Sequence, residues 1–229
     1  MGKNKKSTSN NQSSRKFFFG VVGLTIICLI ALVMLSNLQK KDGTFDYNGQ
    51  PYIGDKDAPV KIVEFGDYKC PICKNFNESV FPGIDKDLIK TGKAQFYFMN
   101  NPFIFTDSTR SALFAETVYH ELGNESFWKF HEHLYSKQPA DSKYEQIDLY
   151  SQDFLEKTLK EVVNQKDSAK VVEAFKAEKY KSDLEKDKSY VTNLNITGTP
   201  TFYVNGKQFT GNTYQDLVDT VNKEAQKKQ

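Results

Sequence analysis

An α/β fold is predicted, on three observations. A β-branched apolar run, Val60–Phe65, breaks at Gly66-Asp67 and meets Cys70-Pro71-Ile72-Cys73 where a helix begins. The alternating stretch Ala94–Met99 follows that helix as a second strand, and the strand–helix–strand succession implies a right-handed parallel crossover. A block with helical spacing then fills about 107–194, after which residues 196–207 supply a turn, a strand and an Asn205-Gly206 hairpin turn.

Taken in order, residues 1–16 form a cytoplasmic tail of Ser, Asn, Gln and Lys, too polar to pack. Phe17–Leu35 is an uncharged apolar run of 19 residues, long enough to span a bilayer as a single helix. No Ala-x-Ala pattern follows it, which favours an uncleaved signal-anchor over a secretory signal. Five basic residues precede the run and only Lys40 and Lys41 follow closely, so the N-terminus is expected in the cytoplasm and the remainder outside the cell, where disulfides persist. Cys28, within the span, reads as a small lipid-facing residue. Residues 36–55 are assigned to a polar tether and 56–229 to the folded domain.

Within that domain Gly54–Pro59 is a turn cluster introducing the first strand. The helix begun at Cys70 is expected to run to about Lys90, kinked by Pro82 and capped by Gly92. Helices are expected over Thr109–Leu122, Glu125–Gln138, Gln152–Asn164 and Ser168–Leu194. Phe127, Phe130 and Leu134 share one face, so Trp128 and its neighbours read as core, and the charges of Ala177–Lys188 as a solvated face. Lys207–Thr210 returns as a hairpin arm, and Tyr214–Lys227 closes the chain with Leu217, Val218 and Val221 facing inward.

The chemistry concentrates at Cys70-Pro71-Ile72-Cys73. Pro71 suits the first helical position, where its missing N–H costs nothing. That places the Cys70 sulfur at the positive end of a helix, beside amides without helical partners, and such a site favours the reactive thiolate. Cys73 follows three residues later on the same helix face. A dithiol redox centre is the favoured reading. Half of a zinc site is the competing one, although a second ligand pair is missing: Cys28 lies in the apolar run and His120, His131 and His133 lack partner spacing. A structural disulfide is disfavoured because so small a ring removes little chain entropy. Glu64, six residues before Cys70, reads as a solvated strand-end carboxylate, although the Val-Lys-Ile-Val pattern before it is compatible with burial. Outside residues 1–36 the chain carries 26 basic and 29 acidic residues, a net of −3, which gives no support to nucleic-acid binding.

A Cys-Pro-x-Cys at a strand–helix junction, a helical block, then Gly198-Thr199-Pro200-Thr201-Phe202 and a hairpin together resemble the DsbA-like thiol-disulfide oxidoreductases. Val60–Phe76 looks most like the membrane-anchored BdbD-type members from Gram-positive bacteria. The resemblance covers about residues 56–226 and implies a thioredoxin fold with an inserted helical domain. It implies Cys70 as exposed nucleophile, Cys73 as its buried partner and Glu64 as the family's buried acid. Pro200 is implied as a cis-proline, with Thr199 facing the disulfide and offering backbone to an extended substrate. Pro71-Ile72 departs from the Pro-His of the best-known Gram-negative enzymes, leaving thiolate stabilisation to the helix terminus and nearby donors. The implied activity is donation of disulfides to reduced or unfolded exported proteins, without an organic cofactor, followed by reoxidation by a DsbB-like quinone-linked membrane partner. A thiol reductase or isomerase, for example in cytochrome maturation, shares these residues. A peptide-binding chaperone module in which the cysteines are incidental is the reading from another class.

Overall fold

The computed structural model describes residues 42–227 and, ahead of them, Phe19, Val21, Val22 and Ile27. Cys28 and nearly all of the predicted span 17–35 lie outside the described residues. No helix among the described residues is long and apolar enough to cross a membrane.

The sheet has five strands in the order β1-β3-β2-β4-β5: β1 Tyr52–Ile53, β2 Val60–Gly66, β3 Ala94–Asn100, β4 Thr201–Val204 and β5 Lys207–Gln208. β2 and β3 pair in parallel, Ile62 opposite Phe96 and Glu64 opposite Phe98, as the predicted crossover requires. β4 runs antiparallel to β2 on its other side, and β5 returns antiparallel to β4 through Asn205-Gly206. Both hairpin residues have positive φ, 47° and 82°, the conformation that selects Asn-Gly at a two-residue turn.

Alternation along the strands divides the core into two faces. Val60, Ile62, Phe96, Phe98 and Val204 pack against the helix that follows β2, the final helix and the helical unit. Val63, Phe65, Tyr97, Met99 and Tyr203 pack on the opposite face. That second face is covered by Phe45, Tyr47 and Tyr52 together with Tyr190, Val191, Leu194 and Ile196. The predicted tether is therefore too long. Phe45 is buried with its ring edge-on to Tyr203 and Tyr190, and β1 pairs with β3, because a two-sided sheet needs apolar cover that the helices alone do not supply.

After β2 come α1 (Pro71–Asn75) and α2 (Phe81–Ile84), each followed by a wide π-helical turn, Phe76–Val80 and Asp85–Ile89. The distortion is spread over those two turns, and Pro82 sits in the first turn of α2, where its missing N–H is harmless. Between β3 and β4 lie α3 (Thr106–Leu122), α4 (Asn124–Ser136), a 3₁₀ turn (Ser142–Gln146), α5 (Gln152–Lys160), α6 (Gln165–Lys176) and α7 (Lys181–Asn193). α8 (Tyr214–Gln226) ends the domain, with Leu217 and Val221 buried.

Two expectations for the helical unit fail. The single helix over 168–194 is two, broken where Glu178 takes φ 48°. Contacts with α3 hold the break: Tyr180 stacks on His120 at 4.3 Å between ring centroids and donates to Glu121 at 2.7 Å, and Lys179 pairs with the same carboxylate at 2.7 Å. The charged stretch 177–188 is also not wholly solvated. Asp187 is fully buried and accepts hydrogen bonds from Gln50 Nε2 at 2.8 Å and the Asn100 backbone N–H at 2.7 Å.

Candidate active site

Cys70 is the N-cap of α1 (φ −79°, ψ 119°), with Pro71 just inside the helix, so its sulfur sits where the first helical amides have no carbonyl to meet. The Cys73 backbone N–H donates to the Cys70 Sγ at 3.4 Å, and the Cys70 thiol donates to the Thr199 carbonyl at 3.4 Å. Both cysteines are free thiols. Ile72, between them, is 64% exposed, but Cys70 itself is buried, 4% exposed, not the exposed sulfur that the resemblance implies, and Cys73 is wholly buried.

These surroundings separate the two sulfurs. Hydrogen bonding from the Cys73 thiol, with the Thr199 side chain and the amides of Cys73 and Ile72, pulls Cys70 down to about 6 against the opposing effect of burial. Burial, its bond to Cys70 and the nearby Glu64 carboxyl push Cys73 well up. Near neutral pH Cys70 is thus mostly thiolate and Cys73 thiol. A stabilised thiolate is a good leaving group from a disulfide, and its stability favours the reduced state.

Glu64 lies on the helix-facing side of β2, between Phe98 of β3 and Phe202 of β4 in register. It is buried, its Oε1 has no hydrogen-bond partner, and burial followed by the charge of Cys70 raises its midpoint well above the carboxylate range. A carboxyl with a raised midpoint can give a proton as Cys73 leaves and, once ionised, take one as Cys73 attacks. Glu64→Gln is expected to slow exchange about tenfold, short of the 10²–10⁴ typical of a full general base, and to flatten the rate profile between about pH 5 and 8. Stability tests the same assignment. Because the folded midpoint lies above the unfolded one, the wild type loses stability as pH rises through the unfolded midpoint and beyond. The glutamine variant carries no such cost, so its advantage in thermal midpoint should widen from pH 4 to pH 8. Equal pH dependence of the two proteins would exclude a buried acid at this position.

The Thr199–Pro200 peptide is cis. The segment containing it comes to the Cys70 sulfur from the far end of the sequence and lines one wall of an open groove of about 540 Å³. Ile72, Phe76, Phe202, Phe209 and Tyr214 supply the groove's apolar surface. Cys70, Cys73, Pro71, Ile72, Thr199, Pro200 and Glu64 are therefore brought into one region. His131 and His133 are not part of it: His131 is buried against Tyr68, its Nδ1 3.0 Å from the hydroxyl, and His133 pairs with Glu161 at 2.7 Å.

The loop between β2 and α1 is anchored by contacts that the sequence does not show, although Gly66-Asp67 marks where the strand ends. Gly66 is required at the strand's end, since a Cβ there would lie 2.5 Å from the Phe98 ring. The Asp67 carboxylate accepts from the amides of Lys69, Phe103 and Ile104 at 2.9–3.1 Å. Lys69 is fully buried, and its ammonium donates to Asp107 and to the carbonyls of Tyr144 and Ile147, both at 2.6 Å.

A reactive sulfur at a helix start, a buried partner sulfur and a buried acid on the adjoining strand define a thiol-disulfide oxidoreductase. The thioredoxin family model matches residues 46–223. Disulfide bond formation protein D of Bacillus subtilis is 41% identical over 177 residues, 77% of each chain. The probable disulfide bond formation protein D of Bacillus anthracis is 30% identical over 221 residues, 96% of this chain and 99% of the relative. The crystal structure of oxidised BdbD from Bacillus subtilis superposes with a TM-score of 0.74 at 38% identity, covering 82% of this chain and 98% of that one. The chain belongs to the thioredoxin-fold disulfide oxidoreductases, alongside the disulfide bond formation D proteins.

Proposed function

We propose that this protein donates disulfides to reduced or unfolded polypeptides outside the cytoplasm, held at the membrane by residues 17–35. The observation that carries the direction is the Cys70 sulfur at the amino end of α1, accepting from the Cys73 amide at 3.4 Å. A substrate thiolate attacks the Cys70 sulfur of the oxidised protein, forming a mixed disulfide and releasing Cys73. The substrate's second thiolate then attacks its own sulfur in that bond, leaving an oxidised substrate and the reduced couple. The Thr199 segment offers backbone to an extended chain, and the apolar groove beside it accepts side chains of varied sequence. A membrane protein that passes electrons to quinone, of the DsbB type, restores the disulfide.

The relatives' names, which concern disulfide formation, and the basic residues ahead of the apolar run support this reading. The test is labelling of intact, reduced cells with a thiol reagent that cannot cross membranes, followed by fractionation. Labelling of Cys70 before lysis, on protein retained in the membrane fraction, is expected. Labelling only after lysis would overturn the location, and recovery of the protein in the medium would overturn the anchor.

A further inference from the structure

Between β2 and α1 the carbonyls of Tyr68, Lys69 and Cys70 are met by side chains from the helical unit. Gln138 Nε2 donates to Tyr68 O at 2.7 Å and to Cys70 O at 3.2 Å. Its Oε1 accepts from the Tyr144 hydroxyl at 2.7 Å, which is shared with Lys69 O at 3.0 Å. Tyr150 adds a second donor to Tyr68 O at 2.9 Å. Gln138 and Tyr144 are buried, 3% and 4% exposed, and bonded to each other, so three successive carbonyls are met by one linked pair, the Cys70 carbonyl also accepting from the Lys74 N–H of α1 at 3.1 Å.

We propose that Gln138 and Tyr144 are positioning residues of the disulfide exchange, holding the Cys70 peptide in the orientation that presents its sulfur to the amides of α1. The peptide plane carries the reason. The Cys70 carbonyl and the Pro71 nitrogen lie in one rigid unit, so a donor that fixes the carbonyl fixes ψ of Cys70. That angle, 119°, sets where the helix, and with it the Cys73 N–H, stands relative to the sulfur. Gln138 grips this carbonyl and the one two residues earlier, bracing the turn from both sides. Tyr144 acts through Gln138 and Lys69, steadying the amide and the intervening carbonyl. The helical unit thereby contributes to the chemistry without touching either sulfur.

The inference rests on Cys70 as the attacked sulfur, and the test separates the two ideas. Gln138→Met keeps the length of the side chain and removes its donors; Tyr144→Phe removes a single hydroxyl. Each is made in the full chain, with Lys129→Ala, an exposed ion-pair residue of α4, as control. Thiolate absorbance is titrated in each protein with Cys73→Ser added, and the reduction potential is measured with both cysteines present. The Gln138→Met midpoint is expected about one unit above wild type, as expected when a charge-assisted contact is misaligned. At pH 8 this disfavours the reduced form about tenfold, equivalent to a potential about 30 mV lower. Tyr144→Phe should move both in the same direction by less, and the combined variant should not exceed Gln138→Met. Lowered thermal stability with unchanged midpoint and potential would reduce the pair to carbonyl partners and overturn the proposal. Should Gln138→Met fail to fold, Tyr144→Phe decides by the same criteria. A wild-type midpoint near the ordinary value of about 8.5 would instead overturn the reading of Cys70 itself.

Discussion

Replacing Cys70 with alanine is expected to abolish disulfide transfer completely, while replacing Cys73 with alanine leaves a protein that captures substrates and cannot resolve the mixed disulfide from its own side. The asymmetry follows from the two environments. Cys70 has the helix amides and the Thr199 carbonyl around its sulfur, and its neighbours Ile72 and Thr199 line the open groove. Cys73 is wholly buried and held as a thiol by burial. Incoming thiolate therefore meets Cys70, and only Cys73 is placed to resolve a stalled mixed disulfide from the protein's side. Non-reducing electrophoresis makes the distinction once each variant, its remaining cysteine first charged as a mixed disulfide with glutathione, is incubated with an unfolded protein carrying one reduced cysteine, whose thiolate displaces glutathione. Mixed disulfides that accumulate with Cys73→Ala, and none with Cys70→Ala, are the expected pattern. The reverse pattern would exchange the roles of the two sulfurs.

The second large effect is on stability. Asp107→Ala removes the only carboxylate paired with the buried Lys69 ammonium among the described residues, leaving two carbonyls to hold a full charge. Breaking a buried ion pair on one side costs about 3–5 kcal/mol. Asp107 also accepts from the backbone N–H groups of Leu149 and Tyr150 at 2.7 and 2.9 Å, so the loss reaches the segment that carries Tyr144. At about 2–4 °C per kcal/mol for a domain of this size, the thermal midpoint should fall by roughly 6–20 °C. Asp107→Asn, which keeps acceptor and shape, should recover part of that. A loss under about 1 kcal/mol, the range of exposed pairs, would mean that the ammonium reaches water.

Where a local signal sufficed, the sequence was informative. The β-branched run ending at Gly66-Asp67 marks β2 to within a residue or two, and Asn205-Gly206 marks the hairpin, because each depends on backbone preferences of the residues themselves. Alternation also puts Glu64 on the side of Val60 and Ile62, toward the helix that carries the cysteines. The features that escaped depend on partners distant in sequence. Glu178 breaks a helix without glycine, asparagine or proline, through contacts that Lys179 and Tyr180 make with α3. Asp187 sits among charged neighbours and is buried only because Gln50 and Asn100 converge on it. Phe45 and Tyr47 lie in a polar stretch, and their place on the sheet follows from how much of that face the helices leave bare. Gln138 and Tyr144 are likewise unremarkable in sequence; the carbonyls they meet lie about seventy residues earlier.

The central claim is that the environment of Cys70 stabilises the reduced couple and so drives disulfides outward. It is tested most directly by the equilibrium reduction potential of Cys70–Cys73 in glutathione buffers, read by the fraction of protein alkylated. A value above about −180 mV, on the oxidising side of protein disulfide isomerase and toward the −120 mV of a strong oxidant, is the predicted result. A value below about −180 mV, in the direction of the −270 mV of thioredoxin, would contradict it and make the protein a reductase or isomerase.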